Sequence, residues 1–443
     1  IINLIEGRMD VLILTKNNTE IKNCVYTITC NNKKTYLECI QFSLRNKLRI
    51  LCKINEIYTF QIFGIIPRNY NIYLKRAGAV ISTSFKKIQP LSSSKNYVDE
   101  YTNPKKIQWD VIRTTNNYES HRKAKGSHSH SVGIIDSGID INHQDLVDNI
   151  LSIRNFVPHQ FPNQDGEFKV DPLYMKDYLD HGTQVAGQIC ANGEITSIAP
   201  NTGIKIYRVF GEREGYNIWI IDAIIHAAND GVDVINLSLG SYLLDGDYKK
   251  NGEWNNNNSE IIAFKKAITY AYQKGCVVVG SLGNDSINID DQKILASEIV
   301  NKKDISDIQK KSQIYDFPCQ IPNVFGVAAA NYFDKISSYS NKSNLNLDIL
   351  SYAGDYSLLE KYGRKEWLNK KYITKDWILS TSSETVYTYT TGNSLATAKV
   401  SAAIAAMNDY YNIEKQPSKS ISLIKSKSNK ILNMSNLVSS DLR

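Results

Sequence analysis

The sequence lacks any apolar run able to cross a bilayer: Phe60–Pro67 and Cys276–Gly280 fall far short of the roughly 20 residues that a spanning helix needs. It has no Cys-x-x-Cys pair, which removes zinc and dithiol-redox spacing, and seven cysteines in 443 residues are too few for a disulfide scaffold. Cys24, Cys30, Cys39 and Cys52 crowd the first segment, whereas the scattered Cys190, Cys276 and Cys319 read as small buried hydrophobes. Charge of one sign is also missing. The 52 basic and 45 acidic side chains leave a net +7 spread along the chain, a solvated surface rather than a nucleic-acid footprint, and one suited to an acidic peptide. Ile1–Lys16 does not follow the order of a secretory signal, which is expected to be absent or already removed. Ile5-Glu6-Gly7-Arg8 before Met9 reads as a fusion remnant, so residues 1–8 are set aside. No internal repeat is present.

What is there is a soluble, globular composition, 42% apolar and 22% charged, long enough for two to three domains of about 150 residues. Val11 to about Pro90 holds short β-branched and aromatic runs, Val25–Thr29, Tyr58–Phe63 and Ala79–Thr83, with a helix expected between Leu37 and Leu51. This predicts a small α+β unit. Leu91–Lys106 turns polar and reads as a linker, which gives a first unit over 1–100 and a second over 101–443. In the second, apolar strands at Val132–Ile135, Ile204–Phe210, Asp233–Leu239, Cys276–Gly280 and Val324–Ala330 alternate with helical stretches such as Ile218–Asn229 and Glu260–Lys274. Apolar strands separated by helices predict an α/β domain, a parallel sheet with helices on both faces. Asn255–Asn258 and Asp290–Lys311 read as surface insertions.

Three motifs carry chemistry. Val132-Gly133-Ile134-Ile135-Asp136-Ser137-Gly138 sets a carboxylate at the carboxyl end of a buried parallel strand, where open α/β sheets place their sites, although Asp136 would also serve as a plain turn cap. Asp180-His181-Gly182-Thr183 starts a helix with an imidazole among small residues, a general-base candidate. Gly392-Asn393-Ser394-Leu395-Ala396 puts a serine at the start of an Ala-rich helix, as a cap or as a nucleophile. The chain order Asp, His, Ser is one known arrangement of an acyl-transfer triad. A fourth element, Val277–Gly283 followed by Asn284, ends a buried strand with an amide that could meet an oxyanion.

From Trp109 to the C-terminus the chain resembles the subtilisin-like serine proteases, and within them the lantibiotic leader peptidases. The narrower likeness rests on Gln108-Trp109-Asp110, Ile206–Gly211, Ala227–Asp230, Asp233–Gly240 and Ser394–Ser401. The resemblance implies Asp136 as orienting carboxylate, His181 as base, Ser394 as nucleophile and Asn284 as oxyanion donor. It implies a substrate-binding strand at Ser238-Leu239-Gly240, facing Gly280-Ser281-Leu282-Gly283 across a specificity pocket. Asp285 beside that pocket hints at a basic or amide-bearing residue before the cut, and Asn393 is expected on the substrate side. Asn393 and Ala398 depart from the family's usual Thr and Pro, and activity is expected to survive both changes. Asp145 matches one calcium-ligand position, but the loop before Pro200 is short, so a structural calcium is allowed and no cofactor is required.

The resemblance further implies that Val11–Pro90 is a propeptide that inhibits the protease as a zymogen until self-cleavage inside Leu91–Gln108, with the bond after Glu100 named as the point. Expected partners are the leader of a precursor peptide and the chain's own propeptide, with no nucleic acid and no membrane span. The expected state is a monomer, secreted or in a bacterial cell envelope, with the cytoplasm left open. A broad-specificity secreted subtilisin and a non-catalytic protease-fold binding protein are the alternatives.

Overall fold

This computed structural model describes residues 24–67, 70–83, 104–158, 175–211, 215–250, 252–303, 305–309 and 311–439, with short paired strands at 13–14, 20–21, 87–88 and 96–97. The first unit is a four-stranded antiparallel sheet of β1 (Cys24–Cys30), β2 (Arg49–Ile54), β3 (Thr59–Gly64) and β4 (Ala79–Thr83), in the order β2-β3-β1-β4, with α1 (Lys33–Arg45) and α2 (Tyr70–Ala77). The expected helix to Leu51 stops earlier. Asn46 returns its side-chain amide to Phe42 O, Lys47 turns to φ 57°, and the β-branched run from Arg49 joins the sheet instead. One set of side chains, Ile28, Tyr36, Phe60, Ile62 and Leu74, forms a core of its own.

The second unit is built on seven parallel strands: β5 (Val132–Asp136), β6 (Ile150–Asn155), β7 (Ile204–Arg208), β8 (Val234–Leu237), β9 (Val277–Ser281), β10 (Val324–Ala330) and β11 (Ile349–Tyr352). Their order is β6-β7-β5-β8-β9-β10-β11, with every pairing parallel. The five expected strands sit inside it; the sequence pattern had missed the edge strands β6 and β11. Between them run α3 (His181–Cys190), α4 (Asn217–Asn229) and α5 (Asn258–Gln273), and after the hairpin β12 (Ile378–Ser382) and β13 (Val386–Thr390) comes α6 (Asn393–Tyr411). Helix α6 is buried from Asn393 to Asn408, and its Ala396, Ala398, Ala402 and Ala403 let it lie close against the sheet and α3.

The segment Asp290–Lys311 is not merely the surface insertion expected. It forms a helix, Gln292–Lys303, and a strand, Ile305–Ile308, because Leu295, Ile299 and Ile305 enter the main core. Likewise Asn257 is fully buried.

The first unit sits on α4 and α5. Val25, Ile54 and Ile57 join the apolar cluster of Ile218, Trp219 and Phe264, Thr29 Oγ1 donates to Ser259 O at 3.0 Å, and Lys266 Nζ donates to Cys30 O at 2.6 Å. Beyond it, Lys87–Ile88 pair antiparallel with Gly215–Tyr216, and Asn96–Tyr97 with Thr388–Tyr389. Residue 100, the expected boundary, lies outside the described residues. No described helix is long and apolar enough to cross a membrane, and the described residues hold no disulfide.

Residues 108–110 fasten the start of the second unit. Gln108 exchanges hydrogen bonds with the Thr196 backbone, Trp109 Nε1 donates to Trp377 O, and the Asp110 carboxylate meets Lys399 Nζ at 2.8 Å, both side chains fully buried. Lys399 also donates to Tyr352 O at 2.9 Å. Removing one member of such a pair strands the other in low dielectric. Asp110→Ala is therefore expected to cost about 3–5 kcal/mol in chemical denaturation, and Asp110→Leu with Lys399→Met to recover most of the loss.

Candidate active site

The carboxyl ends of β5, β8 and β9 lie side by side in the sheet, and a functional group stands at each. Strand β5 ends in Asp136, after which the chain turns at Gly138, φ 119°. A Cβ on Gly182 would sit 2.1 Å from Gly138 O, so only glycine lets the first turn of α3 reach this strand end. That contact brings His181 Nδ1 to 2.8 Å from Asp136 Oδ1. Ser137 N–H donates to the same oxygen at 2.7 Å.

Ser394 opens α6 behind Gly392, whose φ of 149° makes the turn. Its hydroxyl donates to Ser238 O at 3.0 Å, just past β8, while Ser238 Oγ donates to Ser394 O at 2.7 Å. His181 Nε2 is buried and, among the described residues, has no hydrogen-bond partner. The expected Ser394–His181 bond is thus unmade in this state. A hydroxyl has one proton, and here a backbone carbonyl takes it; rotation about χ1 redirects it. Asn284 follows β9. Its Oδ1 accepts from Asn393 N–H at 3.0 Å, which turns the amide Nδ2 toward Gly392, 3.5 Å from where a Cβ there would lie. The Ser394 N–H, in the first turn of α6, has no acceptor within the helix. These are two donors beside one hydroxyl.

Ser238-Leu239-Gly240 and Gly280-Ser281-Leu282-Gly283, the two walls expected from the sequence, both reach the end of the strand Gln313–Phe317 and the turn after it. A Cβ on Gly240 would lie 3.4 Å from Phe317 O, and one on Gly280 would lie 2.7 Å from Pro318 Cγ. Asp285 departs from expectation. Its carboxylate accepts from Tyr242 Oη and is ion-paired with Lys302, so it offers no free charge to a ligand. Asn393 also departs. It is fully buried, accepts from Ala329 N–H at 2.6 Å and donates to Gly283 O and to Ser340 Oγ, so it ties the wall to β10 rather than facing a ligand.

Two buried carboxylates near the site escaped the sequence reading. Asp316, opposite Tyr242 in a strand pair, is buried with Oδ2 unpartnered among the described residues. Burial, then the Asp285 charge, pushes its pKa well above the carboxylate range, with Lys302 opposing. Asp177, four residues before His181, is buried beside the Asp136–His181 contact. Its position ahead of the histidine was the one signal available.

No group of three or more metal-ligating side chains occurs among the described residues. Asp145 does not fit a cation: both its carboxylate oxygens accept backbone N–H bonds, from Glu194 at 3.0 Å and Ile195 at 2.9 Å. Those donors turn their positive ends toward the place a metal would need. His128 bonds Asn149, and His130 faces Asp233.

Burial opposes a charge on His181, but the charge and hydrogen bond of Asp136, with Asp177 and Asp180 nearby, outweigh it and raise the imidazole pKa. The site therefore combines a hydroxyl, a carboxylate-held imidazole and an amide donor, the parts needed for acyl transfer.

Residues 127–437 match the model of the subtilase family, Peptidase_S8. The epidermin leader peptide-processing serine protease of Staphylococcus epidermidis is 35% identical over 413 residues, 91% of this chain and 87% of that protein. The nisin leader peptide-processing serine protease of Lactococcus lactis subsp. lactis is 38% identical over 336 residues, 74% of this chain but 48% of that protein. The crystal structure of an epidermin leader peptide-processing protease from Staphylococcus aureus superposes with a TM-score of 0.82 at 29% identity, covering 95% of this chain and 99% of that one. That of the nisin leader peptidase from Lactococcus lactis gives 0.70 at 37% identity, covering 76% and 94%.

The charge balance at the imidazole is measurable. An NMR titration of His181 is expected to give a midpoint above the usual ~6.5, and Asp136→Asn to lower it by about one unit or more. A midpoint indifferent to Asp136 would break the assignment.

Proposed function

We propose, from the premise that this chain belongs to the subtilase family of serine proteases, that it removes the leader from a lantibiotic-type precursor peptide by cutting one bond through an acyl-enzyme. The observation that carries the chemistry is the 2.8 Å contact of His181 Nδ1 with Asp136, on a helix packed against the one that bears Ser394. In this reading Ser394 Oγ leaves Ser238 O, gives its proton to His181 Nε2 and attacks the scissile carbonyl. Asp136 fixes the imidazole tautomer and stabilises the imidazolium. Asn284 Nδ2 and the Ser394 N–H receive the oxyanion. His181 returns the proton to the leaving amine, and water repeats the sequence to free the acid.

The substrate backbone runs extended along Ser238–Gly240, and the residue before the cut enters between the two walls. Asp316, buried in the strand that both walls reach and with one oxygen unpartnered among the described residues, favours a basic side chain there, since a guanidinium or ammonium would draw off its proton and supply the missing partner. The leader-peptidase relatives support one specific bond over general digestion, and casein left largely uncut would separate this from a broad degradative subtilisin. The expected setting is outside the membrane or in the cell envelope, with the enzyme acting as a monomer.

The first unit acts as a propeptide, released by self-cleavage inside Leu91–Gln108. Support comes from its seat on α4 and α5, and from the two strand pairings at 87–88 and 96–97, one on the edge at Gly215–Tyr216 and one on β13 just before Ser394. The bond after Glu100 lies outside the described residues.

Mass spectrometry of the purified protein is expected to find a new N-terminus within 91–108, and Ser394→Ala to keep the 50.1 kDa chain whole. Processing of isolated Ser394→Ala would exclude cleavage in cis. Asp316→Asn is expected to lower kcat/KM on peptides with Arg or Lys before the cut by at least about tenfold, while a peptide with a neutral residue there loses little. Equal losses on both would remove the pocket role.

A further inference from the structure

The first turn of α3 is not capped by the residue before it. Asp180 stands at the N-cap with φ 62° and makes no capping bond. The amide groups of that turn find partners elsewhere. Gly182 N–H donates to Ser137 Oγ at 2.9 Å, and Thr183 N–H and Oγ1 both donate to Asp177 Oδ2 at 2.8 Å. Asp177 Oδ1 in turn accepts from Ser137 Oγ at 2.7 Å and from Leu179 N–H at 3.2 Å. Ser137 is the residue whose N–H bonds the Asp136 oxygen that holds His181. One buried carboxylate thereby grips both halves of the Asp136–His181 pair: the strand end through Ser137 and the helix start through Thr183.

We propose that Asp177 is a positioning residue for the hydrolysis, which locks α3 onto the end of β5 so that the imidazole stays aimed, and adds a second negative charge that stabilises the imidazolium. This deepens the reading above and rests on His181 being the base. A helix N-terminus is where a carboxylate is most favourable, and Asp177 sits there from outside the helix. The charged groups around His181 are Asp136 from β5 and Asp177 and Asp180 from the approach to α3. Arg208 of β7 passes by Gly138 and bonds Lys176 O, and Asp140 accepts from Thr385 N–H on the outer side. Strand β12, packed on α3, carries no charged side chain; its Leu379, Ser380, Thr381 and Ser382 bond the helix and Asp180. Burial raises the Asp177 pKa, opposed by its bonds from Ser137 and Thr183.

The sign follows. The base must be neutral to accept a proton, so the acid limb of kcat/KM reports the free imidazole. Replacing Asp177 by Asn keeps the volume and removes a charge that favours the imidazolium, so the limb moves to lower pH.

The experiment uses the processed wild-type enzyme with Asp177→Asn, Ser137→Ala and the double variant, on one peptide substrate, alongside thermal melts and His181→Ala. Asp177→Asn is expected to shift the acid limb down by about 0.5 unit or more, and to lower kcat about tenfold with KM within about twofold. Ser137→Ala should lose part of the same kcat, and the double variant should lose less than the product of the two, because both act through one chain of bonds. If Asp177→Asn does not fold, the Ser137→Ala pH profile and kcat carry the test. A lower melting temperature with the acid limb and kcat unchanged would reduce Asp177 to a structural cap and overturn the proposal. An active His181→Ala would instead overturn the base assignment beneath it; an inactive one beside a wild-type-like Asp177→Asn would overturn only this inference.

Discussion

The structure turns on a carboxylate and an imidazole that meet at 2.8 Å inside a protein, at the end of a strand and the start of a helix. Such a contact has to be held from both sides, because a buried charge without a fixed partner would be expelled or neutralised. The strand side is fixed between two parallel neighbours, β7 and β8, inside a seven-stranded sheet, and the helix side by the approach of Gly182 to Gly138 that no side chain would permit. Once these elements are pinned, Nδ1 is committed to Asp136 and Nε2 is left without a hydrogen-bond partner among the described residues.

The same logic of burial divides the acidic residues. Asp285 and Asp145 are close to the positions where binding would need them, yet Tyr242 with Lys302, and two backbone amides, already meet their charge. Asp316 is deeper, has an oxygen with no partner among the described residues and a pKa held well above the carboxylate range, so its charge is the one left unmet. Exposure and proximity in sequence would have ranked these groups in the opposite order.

Much of the site was legible because its motifs are local. A turn glycine after a strand aspartate, a histidine among small residues and a serine entering an Ala-rich helix each state their geometry within a few residues, and the central strands announce themselves by unbroken apolar runs. What was illegible depends on distant contacts. Asp177 meets Ser137 across 40 residues, and the Asp285–Tyr242 bond spans 43, so neither partner could be read from spacing. Edge strands β6 and β11 carry mixed residues and lack the continuous signal of the centre. The segment Asp290–Lys311 lacks apolar periodicity, and its place in the core rests on a few residues, Leu295, Ile299 and Ile305.

The central claim is that the Asp136-held imidazole of His181 activates one hydroxyl among the many serines of this chain. Stoichiometric reaction with a fluorophosphonate, followed by peptide mapping, tests it most directly. The account predicts one label per molecule, on Ser394, absent when His181 is replaced by Ala in a folded protein. A label on another residue, or a folded wild-type enzyme that takes none, would contradict it.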